Sequence, residues 1–307
     1  TVEDVNRVAT TYFKPWNRTL GVFIPADAPR RLSVPAVPSI AAVVKDYKGG
    51  AAVAAGEAFD PTPENLDART KIIEEEGLKI ALLPKKNRGE TVAMTLALRY
   101  GNEESLKDQG TAASMISSML MAGTKRLDRQ ALQQEMDRLN VQIGGGGGGG
   151  GRGRRGGRGG GGGGSAGTLS FSIEARRDSL EKGIYLLGEI LRQPEFPAEE
   201  FEQMRLRSAS MIAQMESDPA TLSSELLSRT LSQYPKGDVR YSMSMAERKE
   251  ELESVTLEQV QNVYQKQLSA AHAEIAIVGD FEVESAMSAV REILRDWKSE
   301  TAWQEVS

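Results

Sequence analysis

Ser114, Ser117 and Ser118 stand at the one place in this chain where helical spacing gathers side chains as if for chemistry. They lie in Ser114-Met-Ile-Ser-Ser-Met-Leu-Met-Ala-Gly-Thr124, where Met115, Ile116, Met119 and Leu120 recur at helical spacing and would bury one face. The serines fall on the adjacent face, with Ser114 and Ser118 one turn apart. Zinc takes imidazole nitrogen, thiolate or carboxylate, and a serine hydroxyl is a poor substitute. Nor is a hydroxyl a general base without a partner to take its proton. His272 is the only histidine and cysteine is absent, so one chain cannot assemble a two-histidine or thiolate metal site. The plain reading of the three serines is of small residues that let helices pack closely.

Composition narrows the remaining chemistry. The 307 residues are enough for one large domain or two. No apolar run approaches the length of a membrane span. The net charge is −5, and without the four arginines of a glycine-rich tract it is −9, which makes the body a poor nucleic-acid surface. The lack of cysteine excludes a disulfide framework and a thiol redox switch, and fits the cytosol and the periplasm equally.

The elements that would position the serines can be read from periodicity. Residues 1–13 predict a helix capped by Thr1, with Val2, Val5, Val8, Ala9 and Tyr12 on one face, followed by a strand over 19–25. One helix and one strand cannot bury their own apolar surface, so residues 1–25 read as the end of a domain whose body lies elsewhere. Residues 26–69 are rich in Pro and Ala and read as a linker. Within it, Val37 to Val44 and Ala51 to Ala55 are apolar enough to pack on a neighbour, and Asp60-Pro-Thr-Pro-Glu-Asn marks a turn.

From Thr70 the pattern predicts a hairpin over 71–84 turning at Glu76-Gly77, a strand over 91–100, the Ser114 helix, and a helix from Asp128 to Leu139. A strand over 168–174 and helices near 178–191, 197–216 and 221–233 follow. The second of those helices should bury Phe201, Met204, Ser208, Met211, Ile212 and Met215. A helix over 256–268, a strand over 273–280 and a helix over 283–297 close the chain. The acidic runs Glu74 to Glu76 and Glu250 to Glu253 read as solvated faces. His272 reads as an edge or surface histidine. The expected fold is α+β, a sandwich of a mostly antiparallel sheet with helices on one face. An internal echo links Thr1-Val-Glu-Asp-Val-Asn-Arg-Val to Thr256-Leu-Glu-Gln-Val-Gln-Asn-Val.

Residues 144–164 hold 17 Gly and 4 Arg and are expected to form a mobile inserted loop between two strands, removable with little effect on folding. Its Arg-Gly-Gly triplets invite an RNA-binding reading. No aromatic residue interleaves them, and four charges on an acidic body would bind weakly and only at low salt.

The Ser114 helix resembles the zinc helix of the pitrilysin/insulinase (M16) metallopeptidases, whose inverted motif is His-x-x-Glu-His before an apolar run and Gly-Thr. On this chain the motif falls on Ser114, Ser117 and Ser118. The family's third zinc ligand, a glutamate on a later helix, falls on Gln214 in Arg207-Ser-Ala-Ser-Met-Ile-Ala-Gln214. The spacing exceeds the family's by about the length of the 21-residue glycine tract. Gly77-Leu-Lys-Ile-Ala-Leu-Leu-Pro84, Ala122-Gly-Thr-Lys125, Gln193-Pro-Glu-Phe-Pro197 and Ile277-Val-Gly-Asp-Phe281 resemble further stretches of an M16 domain, in order.

The resemblance implies a mitochondrial-processing-peptidase-like fold. Residues 1–25 would be the tail of a preceding M16 domain and 26–69 the linker between two halves. Residues 70–303 would be a degenerate domain opening the second half, with an insertion at 144–164. It implies no metal or cofactor in this chain and zinc in the other, N-terminal catalytic half. The function implied is a non-catalytic wall of the peptide-binding chamber of a zinc endopeptidase. The alternatives are an assembly domain with no peptide role, or RNA binding through the Gly/Arg tract. Arg240-Tyr241 resembles a structural loop rather than the family's supporting Arg and Tyr. Partners implied are the catalytic half and a peptide, with a dimer compatible; bacterial relatives suggest the periplasm.

Overall fold

The computed structural model describes residues 1–22, 45, 55–75, 77–147 and 167–306. They fall in two compact units, Thr1–Ala52 and Val53–Ser307. In the first, α1 (Val2–Tyr12) is opened by a capping box in which Thr1 and Asp4 each satisfy a free backbone N–H of the other. Its Val2, Val5 and Tyr12 are exposed, as are Phe13 and Trp16 beyond it. The strand expected over 19–25 is absent where the chain is described, since Thr19 to Val22 form no regular element. Phe23 to Pro25, Val37 to Val44 and Ala51 to Ala54 lie outside the described residues.

The second unit begins with α2 (Pro63–Arg69), where the sequence predicts only a turn. Pro63 suits the first helical position, whose N–H has no partner to lose. Arg69 fastens it, pairing with Glu57 at 2.6 Å and donating to the Pro84 carbonyl at 3.1 Å. The expected hairpin follows as β1 (Lys71–Glu75) and β2 (Leu78–Pro84). Gly77 turns at φ +87°, and a Cβ there would collide with the Ala271 carbonyl oxygen.

With β3 (Thr91–Arg99), β4 (Gln142–Gly147), β5 (Thr168–Arg176) and β6 (Ala273–Gly279), these strands form one sheet in the order β1-β2-β6-β3-β5-β4. Only β2 and β6 run parallel. Alternation places Val92, Met94, Leu96 and Leu98 of β3, and Ile275 and Ile277 of β6, on the buried side. The core helices are α3 (Gly110–Leu120), α4 (Arg129–Leu139), α5 (Leu180–Arg192), α8 (Met245–Ser254), α9 (Leu257–Gln267) and α10 (Val283–Leu294). Leu187 and Ile190 of α5 and Val290 of α10 are wholly buried, each worth about 1.5–3 kcal/mol over an exposed side chain. The α+β sandwich expected from the sequence is the observed fold.

Several details differ. Gly144 to Gly147 are not loop but part of β4, paired with Ser172, Phe171, Ser170 and Leu169 of β5. Glycine has no strand propensity of its own, so the pairing partner imposes the conformation. Residues 148–164 of the tract lie outside the described residues. On α6 (Ala198–Met215) only Phe201 of the expected stripe is buried, and Met211 is exposed. The next helix, α7 (Pro219–Leu231), buries no side chain fully. Glu250 to Glu253 belong to α8, where Leu252 is core and a Ser244–Glu247 capping box starts the helix.

Candidate functional site

The apolar stripe of α3 does bury Met115, Ile116, Met119 and Leu120. Ser114 and Ser118 share its exposed side, and the Ser114 hydroxyl donates to the Thr111 carbonyl at 2.7 Å. Ser117 is turned inward, 3% exposed, and its Oγ has no hydrogen-bond partner among the described residues. It faces β4, where a Cβ built on Gly145 would lie 2.7 Å from that Oγ and 2.8 Å from Phe171 Cε1. Glycine at 145 is what lets the strand approach the helix this closely. No sequence signal singled out this residue among the glycines around it.

The turn after α3 explains the Ala-Gly-Thr that follows the motif. Gly123 has φ +151°, and the buried Thr124 hydroxyl donates to Glu189 at 2.6 Å while accepting from Leu127 N–H at 3.0 Å. Arg126 completes the cluster, pairing with Glu189 at 2.7 Å. Thr124 bridges to Pro194, and Lys125 N–H donates to the Gln193 carbonyl at 2.9 Å. Two motifs distant in sequence, Ala122-Gly-Thr-Lys125 and Gln193-Pro-Glu-Phe-Pro197, thus meet in one place.

Gln214 sits exposed near the end of α6, and among the described residues no hydrogen bond joins it to the serines. Arg240 is held in a fork by Asp238 at 2.8 and 2.9 Å, reaches Glu103 at 2.8 Å, and lies 4.2 Å from the Tyr234 ring centre. The Asp238 carboxylate raises its pKa, and the Arg240 guanidinium in turn lowers that of Asp238. Tyr241 donates to Glu247 at 3.1 Å. His272 is exposed and lies against Trp303, with ring centres 4.8 Å apart and the planes tilted by 42°. Among the described residues no group of three or more His, Cys, Asp or Glu could hold a metal ion, and no helix is long and apolar enough to cross a membrane.

The side of the sheet away from the core carries one row of small residues. Ala81, Ala276, Thr95, Ser172 and Gly144 form one cross-strand row over five strands. Among the described residues β4 closes this face as the edge strand beside α3.

The fold is that of the M16-type domains among solved structures. Residues 254–306 match the family model described as the peptidase M16 inactive domain. A solved structure of an M16 inactive domain from Pseudomonas fluorescens is similar at a TM-score of 0.61 and 17% identity, over 78% of this chain and 53% of that one. The periplasmic protease PqqL from Escherichia coli is similar at 0.60 and 12% identity, over 95% of this chain and 28% of that one. The ferredoxin protease FusC, solved as a mutant in complex with Arabidopsis ferredoxin, is similar at 0.55 and 12% identity, over 100% of this chain and 29% of that one. The chain therefore spans about half the length of the first and under a third of the other two. No curated protein matches the sequence.

Proposed function

We propose that the Val53–Ser307 unit is a non-catalytic M16 domain that holds peptide, working with a zinc-bearing half outside this chain. The observation that carries this reading is the β4 edge. Four of its six residues are glycine, so an extended peptide adding to that edge meets backbone groups without side-chain obstruction. The small-residue row beside it gives the same peptide a flat surface to cross. PqqL and FusC are named as proteases, and FusC was solved with a protein bound, which supports a peptide or protein as the ligand class. The periplasm named for PqqL supports export of this chain as well.

The residues at the zinc-motif positions do not fit a metal. Ser114 and Ser118 offer neutral hydroxyls, and Ser117 is sealed against Gly145 with no route to an ion. Gln214 supplies an amide where zinc prefers a carboxylate. On this reading zinc chemistry belongs to the other half. An assembly role is the second reading, favoured by Leu206, Leu226, Leu227 and Leu231, which α6 and α7 hold in solvent.

The test is fluorescence anisotropy of a labelled unstructured peptide with the 307-residue chain, followed by mass analysis of the peptide. Saturable binding with the peptide intact is expected. Cleavage with one zinc per chain would overturn the non-catalytic reading, and no binding would favour the assembly role.

A further inference from the structure

Leu83 is buried where its strand points away from the core. Leu82 faces the core, so alternation along β2 turns Leu83 to the outer side of the sheet. Its register partner there, Val278 of β6, is 36% exposed. Leu83 is nonetheless only 7% exposed and lies outside the main core. Its cover comes from the stretch expected to be linker, where α2 packs on β2 and Leu66 is half-buried. Seven residues are too few to hold a helix in water by themselves, so α2 depends on what fastens it. Arg69 grips Glu57 on one side and the Pro84 carbonyl on the other, and Glu57 N–H donates to the Lys86 carbonyl at 3.0 Å. The Phe59 ring centre lies 5.1 Å from the Arg69 guanidinium and 4.4 Å from Lys85 Nζ. Partly exposed ion pairs of this kind hold weakly, which puts residues 55–69 at the easily opened end of the fold.

Leu83 also begins a cross-strand row that continues through Val278, Ala93, Glu174 and Gln142, beside the small-residue row. A shallow cavity of about 670 Å³ follows this row from Gln142 at the start of β4 to Lys85 next to α2. One groove therefore joins the β4 edge to α2. We propose that residues 55–69 form an autoinhibitory strap: α2 occupies the β2 end of this groove, and a long peptide displaces it to reach Leu83. The proposal rests on the peptide-holding reading. Four strand intervals separate β4 from β2, a span of about 19 Å that about six extended residues cover. Shorter peptides stay on the β4 side and do not meet the strap. A peptide that competes with α2 binds with its affinity reduced by the fraction of molecules whose strap is open.

The test titrates the 307-residue chain and two strap variants, Arg69→Gln and Leu66→Ala, with labelled neutral peptides ending in leucine. One peptide has about five residues and the other about twelve, below and above the span of the groove. Loosening the strap is expected to tighten binding of the long peptide about three- to tenfold and to leave the short one within about twofold. In the unaltered chain the long peptide should speed amide exchange at Leu66 and Thr70, whose N–H groups donate to the Thr62 and Leu66 carbonyls. The short peptide should not. Equal long-peptide affinity in all three proteins, or exchange in α2 that is unchanged or slowed by the long peptide, would overturn the strap and leave the holding role standing. If neither peptide binds any of the three proteins, the holding role and the strap both fall.

Discussion

Replacing Gly145 with alanine brings a methyl group into the seam between α3 and β4. The new carbon would lie 2.7 Å from Ser117 Oγ and 2.8 and 3.2 Å from two ring carbons of Phe171. Both neighbours are buried, so neither can swing into solvent. Overpacking of this kind costs about 1–3 kcal/mol. The stiffer unfolded chain of an alanine variant returns about 0.4–1 kcal/mol. The net loss of about 1–2 kcal/mol corresponds to a melting temperature lower by about 2–8 °C in a domain of this size. Gly146 is the internal control, since a Cβ there meets nothing within 4 Å. Gly146→Ala should therefore be neutral or slightly stabilising. Ser117→Ala removes a buried hydroxyl with no partner, worth about 1–3 kcal/mol in favour of the variant. In that background Gly145→Ala should cost less, with the Phe171 contact remaining. Thermal and urea unfolding of the four variants measure the set. Equal, negligible effects of Gly145→Ala and Gly146→Ala would refute the close approach of β4 to α3.

Two further outcomes follow from the same geometry. Ser114→His with Ser118→His places two imidazoles one turn apart on the exposed side of α3, and calorimetry should show weak zinc binding, an unchanged fold and no peptide cleavage; adding Ser117→Glu buries an unpaired carboxylate and should cost about 3 kcal/mol or more. Burial of Glu189 would raise its pKa, but its hydrogen bonds to Arg126 and Thr124 outweigh this and hold it below its ordinary 4.5. A lowered carboxylate stabilises the fold above that value and loses its contribution as pH falls through the folded-state value. The melting temperature should therefore decline from about pH 5 downward, and Glu189→Gln should flatten the slope.

Much of this fold was legible because local signals and burial agree. Strands β3, β5 and β6 alternate cleanly, and Asp128 caps α4 where its side chain suggested. Where the reading failed, tertiary context outweighed local pattern. β4 is mostly glycine and takes its conformation from β5. The methionine stripe of α6 has helical spacing, yet only Phe201 is fully buried, with Met204 and Ile212 packed on the rim of the core. The start of α8 was readable, since Ser244 and Glu247 stand at capping-box spacing, but its acidic surface hid the helix. At the candidate site, residue types alone gave the expectation that Ser114, Ser117 and Ser118 are not zinc ligands. That Ser117 is sealed by Gly145, and that five small residues form one row, depends on register and on the approach of helix to sheet, which spacing within one segment does not encode.

Amide hydrogen exchange of the chain with and without an unstructured peptide tests most directly whether this is a peptide-holding domain without catalysis. The account predicts added protection at Gly144 to Gly147, smaller changes at Thr95 and Ser172, and a peptide recovered intact. Protection confined to other surfaces, or a peptide recovered cleaved with zinc bound to this chain, would contradict it.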